Sequence, residues 1–290
     1  MKTIGFVILH YGDVDVTRRC IESIQCLDTM DDLRIVIVDN DYNKSQQDRD
    51  RTKQSFEMYP QLQVLRIMED AGFSKANNIG YAYMKENYNP DYIVMANNDI
   101  TFEQKDFVER IKAVTDKNQC DVVGPDIFSL RTQVHQSPID VTMRTRGQVN
   151  YTIWMNAICL KLFPICYPLL RKNVAQNAVR IDAIDWNKSQ QDVVLCGACI
   201  IFTKKFIENE EKAFYPETKF YYEEYILQYR CREKGYKIGY FPDMQVLHAD
   251  GVATTTKNVD EKKRIRFIMQ NTLQSAKIYK RLITTEDRKQ

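Results

Sequence analysis

Tyr92-Ile-Val-Met-Ala-Asn-Asn-Asp99 is the stretch on which the reading of this chain turns. Tyr92–Met95 is a short continuous apolar run, as expected of a strand covered on both faces, and it stops at the polar cluster Asn97-Asn98-Asp99. Thr3–Leu9 repeats the pattern and ends at His10-Tyr11. Arg34–Val38 repeats it again and ends at Asp39-Asn40, and Gln63–Ile67 reads as a further strand before Glu69-Asp70. Between them Val16, Cys20, Ile24 and Leu27, and then Ala76, Ile79/Gly80, Tyr83 and Asn87, recur at helical spacing. Asp121–Gly124 is a shorter fifth strand. Alternating strands and helices predict an α/β fold, a mostly parallel central sheet flanked by helices. Ligands of such sheets bind outside the carboxyl ends of the strands. Each polar cluster alone is ordinary turn chemistry, but four at one sheet edge point to a shared site.

The 290 residues are 44% hydrophobic and 28% charged, a globular composition that excludes collagen, coiled coil and wholesale disorder. A net charge of +2 gives no reason to expect nucleic acid as a partner. The charge is uneven, because residues 257–290 hold ten Lys/Arg and four acids. The eight Cys are scattered behind no leader sequence and read as free thiols of a reducing cytosol. Cys196-Gly-Ala-Cys199 is a lone CxxC and reads as small apolar side chains on a buried strand rather than a zinc site. No window reaches the roughly 18–20 apolar residues that span a bilayer.

Residues 126–192 break the alternation. Within them Ile153–Arg171 is apolar, aromatic and interrupted by Pro164 and Pro168. It reads either as a core helix hairpin or as an interfacial membrane segment. Regular structure resumes at Val193–Phe202, and Lys237–Phe241 and Gln245–His248 look like two more short strands. Ile265, Ile268, Thr272, Ala276, Tyr279 and Ile283 mark an amphipathic helix over 261–283 with a basic outer face. That helix could lie on anionic lipid, pack on the core, or pair with a second copy in a homodimer.

The chemistry-bearing residues follow. Asp99 at a strand end suits a hard divalent cation completed by substrate phosphates. His248 ends a later strand near Asp250-Gly251, and an imidazole joining one carboxylate and two phosphate oxygens suits Mn²⁺ better than Ca²⁺. Glu223-Glu224, flanked by Tyr221, Tyr222 and Tyr225, reads as a general base raised in pKa by partial burial, or as acids at a helix start. Gly72 through Gly80 is a loop entering a helix, whose glycines permit close backbone approach and whose N-terminus offers amides to an anion. Neither dehydrogenase nor P-loop glycine patterns occur.

These pieces, in this order, resemble the family-two glycosyltransferases of the GT-A fold, especially rhamnosyltransferase-like bacterial members. The resemblance covers residues 3–125 and 193–255. It rests on Val7–Tyr11, Ile37–Asn40, Glu69–Phe73 with Asn77–Gly80, Asn97–Asp99, Phe220–Glu224 with Leu227 and Arg230, and Val246–Gly251. It implies a catalytic domain over 1–255, made of a nucleotide-binding half (1–125), a variable acceptor-side insert (126–192) and an acceptor half (193–255), followed by a basic helix (256–290). It further implies nucleotide-sugar contacts at His10, Tyr11, Asp39, Asn40, Asp70, Gly72, Lys75, Asn77, Asn97 and Asn98. Asp99 and His248 would hold Mn²⁺ or Mg²⁺, and Glu224 or Glu223 would be the base. Three positions depart from the family pattern: Glu224 replaces Asp, Ile226 replaces a second Asp, and Asn97 replaces the first acid of the metal motif.

The expected activity is metal-dependent, inverting transfer of one sugar from a UDP- or dTDP-sugar to a glycan, which could be lipid-linked, in bacterial surface polysaccharide synthesis. The expected location is the cytoplasm, peripheral to the inner face of the membrane. An inactive GT-A fold that binds a glycan or a partner, and a nucleotidyltransferase, are the alternatives. Metal-dependent nucleotide affinity separates the first alternative, and use of a nucleoside triphosphate the second.

Overall fold

The alternation of apolar runs and helical repeats becomes a single mixed sheet with helices on both faces. The computed structural model describes residues 1–57, 59, 61–176, 184–250 and 261–286. The chain runs β1 (Thr3–His10), α1 (Val14–Gln25), β2 (Asp32–Asp39), α2 (Gln46–Gln54), β3 (Leu62–Arg66), α3 (Gly72–Tyr88), β4 (Tyr92–Asn97), β5 (Ile100–Thr101) and α4 (Phe107–Asn118). It continues through β6 (Val122–Ser129), α5 (Arg146–Lys161), α6 (Phe163–Gln176), β7 (Gln190–Gln191), β8 (Cys199–Thr203), α7 (Lys204–Asn209), α8 (Glu223–Lys234), β9 (Ile238–His248) and α9 (Glu261–Glu286).

The sheet order is β3-β2-β1-β4-β8-β6-β9-β5, with β7 also on β9. The first four strands in that order are parallel; β8 runs antiparallel to both β4 and β6, and β6 and β9 are again parallel. β1 shows why its run is apolar throughout. Ile4, Phe6 and Ile8 pack with Cys20, Ile21 and Ile24 of α1 and Phe107 and Ile111 of α4. Val7 and Leu9 turn to the other face, against Ala76, Tyr81 and Met84 of α3. Burying both faces removes the polar alternation of a half-exposed strand. A side chain at Gly80 would meet Val7 Cγ1 at 2.4 Å, so that glycine lets α3 seat on the sheet.

Register aligns the strand ends. His10 pairs with Asp39, and Leu9 with Asn97, so β1, β2 and β4 deliver their polar clusters to one edge. β9 brings His248 alongside Ile100 of β5.

Three expectations change. Val193–Phe202 is strand only from Cys199, because Gly197 and Ala198 form a turn and Val194 makes an isolated bridge to Asp140. Cys196 therefore precedes that turn and Cys199 is the first residue of β8, with all eight cysteines free. Lys237–Phe241 and Gln245–His248 join into the single strand β9, whose register against β6 shifts between Pro125 and Asp126. Ile153–Arg171 forms most of a helix pair bent by 116°. Its inner side packs Cys159 and Phe163 on Ile265 and Met269 of α9. Farther along α9, Ala276 and Tyr279 join Tyr222, Tyr225, Ile226 and Tyr229 in another apolar cluster. Residues 251–260, including Gly251 of the late histidine motif, lie outside the described residues.

Candidate active site

A cleft of about 450 Å³ opens at the shared strand edge. Tyr11, Asn40, Asp70, Asn97, Asn98, Asp99 and His248 line it, together with Tyr42, Asn43, Phe73, Arg131, Phe220, Asp250, Arg264 and Phe267. The floor is held from below. The Asn98 amide donates to the Tyr11 carbonyl (3.1 Å) and to Thr17 Oγ1 (2.8 Å), and Thr17 Oγ1 lies 2.6 Å from His10 Nδ1. His10 itself is fully buried, and burial lowers its pKa to about 4, so it is neutral.

At one side of the cleft a polar chain runs Asp99, His248, Gln136, Asp250. The Asp250 carboxylate receives Ser129 Oγ (2.9 Å) and the Gln136 amide nitrogen (3.1 Å), with Arg131 at 3.4 Å. The Gln136 amide oxygen therefore points at His248 Nδ1, 2.6 Å away, and accepts its proton. His248 Nε2 then faces Asp99 Oδ1 at 3.0 Å. With Nδ1 protonated, a lone pair and a carboxylate meet there, and a proton or a cation must lie between them. An oxygen and an imidazole nitrogen, the latter oriented by a carbonyl on its other ring nitrogen, fit a divalent metal of the Mn²⁺ or Mg²⁺ kind. The described residues hold no cluster of three or more His, Cys, Asp or Glu, so phosphate oxygens and water would complete the shell.

Several expected nucleotide contacts do not line the cleft. Asp39 is buried under its wall, its Oδ1 accepting from the Asp41 amide and its Oδ2 lying 3.6 Å from buried Arg49. Asn77 is buried and donates to the Phe73 carbonyl of its own helix. Lys75 is exposed and paired with Glu69. Gly72 has φ +70°, and a side chain there would lie 2.3 Å from Lys219 Cγ and 2.7 Å from the Lys219 carbonyl. The Phe73 amide donates to that same carbonyl at 2.7 Å. The close approach at Gly72 is thus to the protein's own chain, and the start of α3 has one amide fewer to offer an anion. Asp70, half exposed, is paired with Lys219 at the cleft rim. His10 and Asp39 face inward because strand ends alternate sides, so one residue of each polar pair builds the site while its neighbour lines it.

The two glutamates begin α8, and the backbone before them is unusual. Tyr221 and Tyr222 both have positive φ, 66° and 67°. Consecutive left-handed residues with large side chains are uncommon and are strained. Tyr222 is held by packing: it lies against Tyr225 and Tyr279, and Arg144 sits over the rings of Tyr222 (5.5 Å) and Tyr225 (4.8 Å), while Tyr221 is exposed. Glu223 is buried with Oε2 unpaired, and burial followed by the charge of Glu224 pushes its pKa well above the usual glutamate range. Burial also raises Glu224, opposed in part by backbone amides that include Gly197. A methyl group on Gly197 would meet Glu224 Oε1 at 3.0 Å and the Phe73 ring at 3.4 Å, so the carboxylate lies behind Phe73, which lines the cleft, while neither glutamate lines it. Arg230 serves structure instead, pairing with Glu210 at 2.8 Å and donating to the carbonyls of Lys212 and Ala213.

Sequence reading did not single out Gln136, Arg131, Arg264 or Phe267. Gln136 stands two residues before Pro138 in the irregular insert, and Arg264 and Phe267 belong to the basic face of α9.

Comparisons with known proteins agree with this fold. The structure of S. aureus TarS (residues 1–349) superposes with TM-score 0.52 at 13% identity, covering 94% of this chain and 71% of that one. Its complex with UDP gives 0.52 at 12% identity, covering 93% and 71%. The mannosyltransferase PcManGT from Pyrobaculum calidifontis, in complex with GDP-Man and Mn²⁺, gives 0.53 at 11% identity, covering 95% and 73%. A comparison with curated protein sequences found no match. The family described as glycosyltransferase like family 2 matches residues 2–269, nearly the whole chain, and this protein belongs to it: it is a glycosyltransferase of the GT-A fold.

Proposed function

We propose that the protein moves one sugar, with inversion and metal dependence, from a UDP- or dTDP-sugar to a glycan hydroxyl in the building of a bacterial surface polysaccharide, at the cytoplasmic face of the membrane. The observation that carries the donor reading is the facing pair Asp99 Oδ1 and His248 Nε2 in the wall of a cleft lined by Tyr11, Asn40 and Asp70. The UDP and the GDP-Man with Mn²⁺ in the two fold relatives support it.

Tyr11, Asn40 and Asp70 border base and ribose, while Asp99 and His248 hold the diphosphate end. A bound Mn²⁺ or Mg²⁺ supplies positive charge to offset that developing on the leaving diphosphate. Two adjacent buried carboxyls do not both ionise readily, and burial together with the charge of Glu224 pushes Glu223 well above the usual glutamate range. Glu224 is then the base. It takes the acceptor hydroxyl proton as that oxygen bonds the anomeric carbon, and the bond from that carbon to the diphosphate oxygen breaks with its electron pair leaving on the nucleotide.

Release of nucleoside diphosphate from a panel of UDP-, dTDP- and GDP-sugars, with Mn²⁺, tests this. Turnover of particular donors, falling about a hundredfold or more in Glu224→Gln, is the expected result. Full activity in both Glu224→Gln and Asp99→Ala overturns the assignment.

A further inference from the structure

Among the described residues nothing covers the outer face of the α5–α6 pair. Trp154 and Tyr151 on α5 are 58% and 62% exposed, and Ile165 and Leu169 on α6 are 74% and 69% exposed. Contiguous exposed apolar and aromatic side chains mark an interaction surface rather than ordinary surface composition. The charge pattern is as one-sided as the apolar one. Residues 141–181 contain six Lys/Arg and no Asp or Glu, in a chain with 39 acidic residues. Lys161 and Arg171 are exposed beside the apolar face.

No single helix among the described residues is long and apolar enough to cross a membrane. The pair together is, but a 116° bend separates its halves. A sharply bent pair with apolar and aromatic side chains outward and cations beside them suits a place in an interface, with Trp and Tyr at headgroup level and cations toward anionic lipid.

From these observations we infer that the α5–α6 face docks the protein on an anionic lipid bilayer. A second copy of the chain is a poorer occupant. A two-fold interface would set this basic surface, on which Glu261 of α9 pairs with Arg171 and leaves the exposed Lys161, against itself. Docking also has a consequence for the cleft. α9 packs Ile265 and Met269 against Cys159 and Phe163 of the docked pair, while its Arg264 and Phe267 line the cleft. The bilayer and the cleft thus lie on two sides of one helix, which places the cleft mouth where an acceptor anchored in that bilayer can reach it.

The test uses the full chain and no sugar substrate, so it stands apart from the donor assignment. The protein is floated with vesicles of phosphatidylcholine alone and of phosphatidylcholine with phosphatidylglycerol. Binding to the anionic vesicles is expected, about tenfold or more above the neutral ones. The double variant Ile165→Glu/Leu169→Glu, at two exposed positions, is expected to lower it about tenfold while leaving nucleotide binding unchanged. In a Trp186→Phe background the remaining Trp154 should shift its emission to the blue on anionic vesicles. Absence of binding by the native chain overturns the inference, as does equal binding by the double variant. So does a dimer in sedimentation that the double variant abolishes while vesicles are ignored, which would make the face a contact between copies.

Discussion

Single side chains set the chemistry through their burial and their partners. Glu223 and Glu224 share a buried corner, and burial raises the pKa of both. A raised carboxyl pKa favours the protonated folded state, so its stabilising contribution is whole below the ordinary glutamate value of 4.5 and is lost as pH rises through the folded value. Glu223→Gln should therefore gain stability over the native chain as pH is raised from about 5 to 8, read by urea denaturation at each pH. The same substitution keeps a neutral side chain beside Glu224, so the acid limb of turnover in the proposed mechanism should stay where it is in the native chain. A limb that moves to lower pH would show that Glu223 carries charge beside the base. Gln136 acts one shell out by fixing which His248 nitrogen carries the proton. Gln136→Leu should weaken Mn²⁺ binding measured in the presence of nucleotide by about tenfold to a hundredfold, and leave thermal unfolding of the metal-free protein nearly unchanged.

Elements place those side chains, and here sequence and structure part company in instructive places. The parallel strands were legible because a strand buried on both faces writes a continuous apolar run, and their polar ends were legible because loops must begin there. Asn97-Asn98-Asp99 and His248 were found that way. The turn at Gly197, the fused strand β9 and the left-handed pair Tyr221-Tyr222 were not legible, since each depends on partners far along the chain. Gly197 gives room to Glu224, and Tyr222 is held by Arg144 and Tyr279. Glycine at 72 was legible as a residue of close approach, while its neighbour, Lys219, was not. Gly72→Ala adds a left-handed alanine and a clash with backbone, and should cost about 2–3 kcal/mol in urea denaturation. An unchanged midpoint would mean the loop relaxes freely.

Across the whole molecule the C-terminal helix is part of the site. α9 supplies Arg264 and Phe267 to the cleft, and its fully buried Tyr279 packs against Tyr222, Tyr225 and Tyr229 at the start of α8. Its amphipathic spacing was readable, but its neighbours were not, because periodicity shows which face is apolar and not what covers it. Tyr279→Ala should destabilise the fold by about 3 kcal/mol through the cavity it leaves. It should also slow turnover at temperatures where the variant is folded, because the strained residues ahead of Glu223 lose their support. Normal turnover in a destabilised Tyr279→Ala protein would show that α8 holds its own N-terminus.

The most direct test of the central claim is calorimetric titration with UDP and with dTDP, with and without Mn²⁺, in the native chain and in Asp99→Ala. The account predicts that one of these nucleotides binds the native protein in the presence of Mn²⁺ and far more weakly without it, and that Asp99→Ala loses the metal-dependent part. Metal-independent binding of equal strength in both proteins, or no binding by the folded native chain, would contradict the reading of Asp99 and His248 as the place where metal and diphosphate meet.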